Sequence, residues 1–167
     1  MVATDGHRMH IVYGNPTAWG TNVRNGDYVM QKSNRLIPAE KLTYPAWEQV
    51  LPKKTKPSLT LTLTAVGAGQ LCCDLRTTMR RYKAHHGMPI SVGAAYLNAK
   101  YLADALYSAR HHAPGNIRIE VRGVLDATRI VGDGFEGVVM ARREGRPGIL
   151  FDWVDYMMVN STKGKAA

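Results

Sequence analysis

The sequence predicts an α+β protein, a mainly antiparallel sheet with one or two helices packed on it. Three observations predict it. Leu59, Leu61 and Leu63 alternate with Thr60, Thr62 and Thr64 in a half-buried strand pattern. After Asn98, a residue suited to an N-cap, Tyr101, Leu102, Ala105, Leu106 and Ala109 fall on one helical stripe. Three strand-like runs then follow, at 117–121, 128–131 and 135–142, with Gly132-Asp133-Gly134 as the turn between the last two. Strand, helix, then a three-strand meander is the signature of α+β architecture.

Taken in order, residues 1–13 read as a strand or hairpin arm: Asp5-Gly6 is a turn dipeptide, and Met9, Ile11 and Tyr13 alternate on one face. Residues 14–26 are rich in Gly, Asn, Pro and Thr and read as a loop, and Asn25-Gly26 introduces a strand over 27–37. Residues 38–57 read as a connector. After the Leu/Thr strand, Gly67 to Gly69 should end it, and Leu71 to Tyr82 reads as a second strand with a polar end at Arg80, Arg81 and Lys83. His85 to Pro89 is a turn, and 90–94 a short strand. Pro114-Gly115 stops the helix. Ile117, Ile119 and Val121 alternate with Arg118, Glu120 and Arg122, so that strand should be solvated on one face.

At 167 residues the chain is long enough for one well-packed domain or two small ones, and 45% apolar with 21% charged residues is a globular balance. With no membrane-length apolar run or signal pattern, the expected location is the cytoplasm. Cys72 and Cys73 are adjacent, bridge to each other poorly, and read as small hydrophobes. The net charge of +9 favours a polyanionic partner through phosphate neutralisation. No phosphate loop, nucleophile elbow or paired-carboxylate motif occurs. Asp5, Asp133, Asp152 and Asp155 read as turn and helix-surface residues, and the paired histidines have no zinc-ligand spacing. A non-enzymatic protein without metal or cofactor is expected.

Four blocks, in order, carry a resemblance. Val2-Ala3-Thr4-Asp5-Gly6-His7-Arg8-Met9 resembles a hallmark stretch in the middle domain of the bacterial sliding clamp, the beta subunit of DNA polymerase III. Tyr44 to Lys53 is similar to the junction between that family's middle and last domains, Tyr96 to Leu106 to the second helix of its last domain, and Gly137 to Arg143 to its terminal block. The spacing is compressed: the first domain, the front half of the second and the first helix of the third find no counterpart. The resemblance implies a DNA-clamp-like fold, with residues 1–57 a partial middle-domain segment and connector, 58–143 the last domain, and 144–167 a partly disordered extension.

It also implies a hydrophobic cleft that captures short peptides of DNA polymerase or clamp-loader proteins. One wall is assigned to Thr4, Gly6, His7, Arg8 and Met9, the junction to Pro45 and Val50, and the other wall to Val138, Met140 and Arg142. Met and Val give an adaptable floor, and the cations a rim for carbonyls or a carboxylate. Duplex DNA is the implied second partner, and homo-oligomerisation the implied state, since a chain this short cannot encircle a duplex alone. Lys100, Tyr107, Arg110 and His111 on the helix, with Arg80, Arg81 and Lys83, read either as phosphate-facing or as a solvated surface. The family usually has Pro where Ala141 stands, and its members are acidic overall. Ile149-Leu150-Phe151 resembles the end of a client peptide. The alternative reading is a basic nucleic-acid-binding regulator of a phage or mobile element that keeps the fold without clamp activity.

Overall fold

The computed structural model describes residues 2–5, 7–13, 28–30, 36–38, 49, 51, 56–113 and 115–143. The readings that fall on Gly6, Pro45, Val50, most of 14–55 and all of 144–167 lie outside them. The chain divides into two compact units, Met1–Tyr13 with Leu51–Ala167, and Gly14–Val50.

The described residues of the first unit build a six-stranded antiparallel sheet. In chain order its strands are β1 (Val2–Thr4), β2 (Arg8–Val12), β5 (Leu59–Leu63), β8 (Ile117–Val121), β9 (Thr128–Gly132) and β10 (Phe135–Val139), arranged β1-β2-β10-β9-β8-β5. A separate hairpin pairs β6 (Pro89–Val92) with β7 (Ala95–Asn98), and the unit's helices are α1 (Ala65–Arg81) and α2 (Ala99–His112). In the second unit β3 (Tyr28–Met30) pairs antiparallel with β4 (Leu36–Pro38), so two short strands stand where the sequence suggested one.

The alternation of β5 and β8 does what it predicts. Leu61, Leu63, Ile117, Ile119 and Val121 face the helices and join Leu71, Leu75, Leu102 and Leu106 in one buried cluster. Each such side chain contributes about 1.5–3 kcal/mol by leaving water. The other face of β8 is less solvated than expected: Glu120 is buried and lies within ion-pair distance of Arg118, Arg122 and Arg129. Arg129 also pairs with buried Glu136, which accepts from Tyr13 Oη at 3.2 Å.

The strand expected over Leu71 to Tyr82 is instead the greater part of α1. Thr64 caps it, its hydroxyl oxygen accepting from Gly67 N–H at 3.0 Å. Ala68, Leu71, Cys72, Leu75 and Met79 then recur at helical spacing and are all buried. Gly67 and Gly69 hid the helix, because glycine opposes helix formation by about 1 kcal/mol relative to alanine. At Gly69 a Cβ would lie 2.9 Å from Nη1 at the flexible end of the Arg110 side chain of α2. Arg80 and Arg81 are therefore last-turn helix residues, where cations suit the helix dipole, and Lys83 follows in a left-handed conformation with φ of 51°. The helix for which the sequence comparison found no counterpart is thus present ahead of α2.

α2 begins as read. Asn98 Oδ1 accepts from Lys100 N–H at 3.0 Å. Tyr96 to Asn98, placed by the resemblance within the helix, form most of β7 instead, a strand too short to stand out before a helix. The contacts of Gly69 with Arg110 and of Arg76 with Asp104 run α1 and α2 antiparallel.

Candidate functional site

The opening turn is built by its own side chains. Asp5 Oδ1 accepts from the N–H groups of His7 at 3.0 Å and Arg8 at 3.1 Å, and the Thr4 hydroxyl donates to Arg8 O at 2.8 Å. Arg8 Nε donates to Asp5 Oδ2 at 3.1 Å. Partial burial works against the Asp5 charge, but these backbone N–H groups and the Arg8 guanidinium hold its carboxyl below the ordinary carboxylate range. The turn delivers β2, which pairs with β10 so that Met9 opposes Val138 and Arg8 opposes Val139. Past the ladder, Met140 N–H donates to His7 O at 3.0 Å and Arg142 N–H to Tyr96 O at 2.8 Å.

This pairing brings the two distant blocks together at the end of the sheet. Beside them lies a pocket of about 370 Å³ lined by His7, Asn98, Tyr101, Met140, Ala141, Arg142 and Arg143. His7 stacks on Tyr101 with centroids 5.6 Å apart and planes 10° from parallel, and the Arg8 guanidinium carbon sits 5.0 Å from the centre of the Tyr101 ring.

His7, Met140 and Arg142, which the resemblance assigned to the cleft walls, help to line this pocket. Met9 and Val138 do not: at 3% and 0% exposure they are packed inside the protein. Thr4 is spent on the turn, and Arg8 is paired with Asp5 and with Asp104 of α2. Asn98, Tyr101, Ala141 and Arg143 complete the lining and were not assigned. Tyr101 reads from sequence as a member of the apolar stripe and of the helix block that carries the resemblance, and Arg8–Asp104, 96 positions apart, leaves no local signal.

Chemically, Met140, 40% exposed, and Tyr101 give an adaptable apolar floor, while Arg142 and Arg143 give a cationic rim with no acid among the lining residues. A second hollow of about 490 Å³, lined by residues that include Thr62, Arg118, Val131 and Asp133, is more polar and carries an acid.

The helices carry the other candidate surface. Arg80, Arg81, Lys83, Lys100, Tyr107, Arg110 and His111 are all exposed. Across α1 and α2 five Lys or Arg residues stand against two Asp. Of those two, Asp104 receives both Arg8 and Arg76, so its charge is offset within the fold. Among the described residues no helix is long and apolar enough to cross a membrane.

A mainly antiparallel sheet with two helices on one face is the architecture of a clamp domain, and solved structures agree. The protein is similar to Caulobacter crescentus pol III beta, with a TM-score of 0.54 and 14% identity over 86% of this chain and 54% of that one. It is also similar to the DNA polymerase III beta chain from Streptococcus pneumoniae TIGR4, with a TM-score of 0.52 and 16% identity over 86% of this chain and 53% of that one. The likeness is one of fold, and the chain spans about half the length of each. No family model matches the sequence, and neither does any curated protein. The chain has the fold of sliding-clamp domains.

Proposed function

We propose that the protein is a non-enzymatic, clamp-like replication accessory factor that captures short peptides of replication proteins in the pocket beside β2 and β10. The observation that carries this reading is the convergence of His7, Tyr101, Met140 and Arg142 on one apolar-floored, cation-rimmed pocket. An extended peptide with an apolar side chain and a carboxylate complements it: the apolar group settles on Met140 and Tyr101, and Arg142 and Arg143 take the anion. Titration of a labelled peptide of that kind tests it. Met140→Asp should reduce affinity at least tenfold, and equal binding by the variant rejects the pocket.

The same reading gives the helix face to DNA. Its exposed cations would neutralise phosphates, so affinity should fall steeply with salt, and a flat dependence removes this half of the proposal. Encircling a duplex would take several copies, which light scattering at working concentration resolves.

A second reading is a basic nucleic-acid-binding regulator that keeps the fold without clamp activity. The burial of Met9 and Val138 favours it, because it leaves a smaller apolar floor than the resemblance assigned. DNA binding with no peptide capture would select it.

A further inference from the structure

At the middle of the cationic helix face stands an aromatic residue. Tyr107 is 46% exposed, with the Arg76 guanidinium carbon 4.9 Å from its ring centre and the His111 ring 4.5 Å away, edge to face. One neighbour comes from each helix, so the ring's orientation is fixed by α1 and α2 together. Arg76 is fixed in turn by Asp104 at 3.2 Å.

An exposed tyrosine with an arginine over its ring and a histidine edge to face has a specific use on a basic surface. Nucleobases stack on tyrosine and histidine rings and on guanidinium planes. In a duplex the base faces already cover one another and only phosphates and groove edges are offered; an unpaired base has a free face. Arg80 and Arg81 at the end of α1 and Lys100 and Arg110 on α2 are exposed on the same two helices and available to phosphates of a strand lying across them. Asp104, which shares Arg76 with the ring, is already paired with two arginines and repels a phosphate chain little.

We propose that Arg76, Tyr107 and His111 form a stacking site for an unpaired nucleobase, and that the two-helix face therefore grips single-stranded DNA more tightly than duplex. This rests on the reading of that face as a nucleic-acid surface and deepens it. The strand lies across both helices, phosphates on the cations and one base on Tyr107. The selectivity comes from the ring and the affinity from the charges.

The test is fluorescence anisotropy of the full chain with a labelled oligothymidylate and with a duplex of equal length, at one salt concentration. Stacking of one base is expected to account for about five- to tenfold in affinity, so Tyr107→Leu should weaken the single strand by that factor and the duplex by less than twofold. Tyr107→Phe, which keeps the ring, should bind as the parent does. Arg80→Gln should weaken both ligands alike. If Tyr107→Leu leaves the single strand unaffected, or weakens both ligands equally, the stacking site is overturned while the phosphate surface stands. If neither oligonucleotide binds the parent, the surface and the stacking site fall together.

Discussion

Arg8 of β2 reaches across to Asp104 of α2, and the same carboxylate receives Arg76 of α1, so one acid ties a sheet strand to both helices. Removing that acid leaves two half-buried guanidinium groups facing each other. Asp104→Asn should destabilise the fold by about 1–3 kcal/mol, the range for a hydrogen bond to a charged group. The readout is the midpoint of urea unfolding, and an unchanged midpoint would mean that the three-element tie is decorative. His7 should also lose its fixed place on Tyr101, because Arg8 packs on the same ring.

Acid should loosen the same junction. His10 lies between β2 and α2, its Nδ1 3.2 Å from the Ser108 hydroxyl oxygen and its ring 5.8 Å from that of Phe135. Burial, then the charges of Arg8 and His112, lower its pKa from 6.5, and Asp104 and Asp5 oppose this only in part. The folded state thus holds His10 neutral where the unfolded chain takes up a proton. This contribution to stability is complete above 6.5 and is lost as pH falls through that value toward the lower folded one. The melting temperature should decline from pH 7 to pH 5, and His10→Gln should flatten that decline. An equal slope in the variant assigns the effect to other groups.

Two glycines should respond in opposite ways to alanine. At Gly132 a Cβ would collide with the Cβ of Ala113, which has nowhere to turn, so Gly132→Ala should cost about 1–3 kcal/mol. At Gly69 the atoms in the way belong to the end of the Arg110 side chain, which can swing aside. Gly69→Ala should therefore be neutral or gain up to about 1 kcal/mol from helix propensity. Thermal unfolding of the pair compares them, and equal losses would refute the packing account.

Asn98 does two jobs at one point: its carbonyl oxygen caps α2 through Lys100 N–H, and its amide Nδ2 donates to His86 O at 3.3 Å. Asn98→Ala should cost about 1 kcal/mol, and Asn98→Asp, which keeps the cap and loses the amide donor, should recover most of it. Helical circular dichroism with urea titration separates the two variants. Equal losses would place the effect in the turn at His86 instead of the cap.

Where a single face decides the structure, residue order was enough to read it. β5 and α2 each bury one stripe and their spacing shows it, whereas β8 and β10 also bury residues of the other face, Glu120, Glu136 and Val138 among them, which alternation alone does not reveal. α1 escaped because Gly67 and Gly69 sit in its first turns and lower its helix propensity, whereas the burial of Leu71, Cys72, Leu75 and Met79 that holds it is a tertiary effect. β7 escaped because four residues running straight into a capped helix carry too little alternation to count. The meeting of residues 7–9 with 138–142 followed from family resemblance, not from any local pattern. Which of those residues face the pocket depends on where the ladder ends and not on strand parity: Met9 and Val138 oppose each other in register and are buried together, while His7 and Met140, two positions along and of the same parity, lie past the ladder and are exposed.

The joining of β2 to β10 has a kinetic consequence. Tyr13 and Glu136 are bonded across 123 positions of chain, and β10 cannot gain its second neighbour until that loop closes. Local pieces such as α2 and the meander can form early, whereas the pocket must wait for the slowest and most distant pairing in the sheet. A chain interrupted during synthesis, or clipped after its first dozen residues, would keep both helices yet lack the end of the sheet where β2 meets β10.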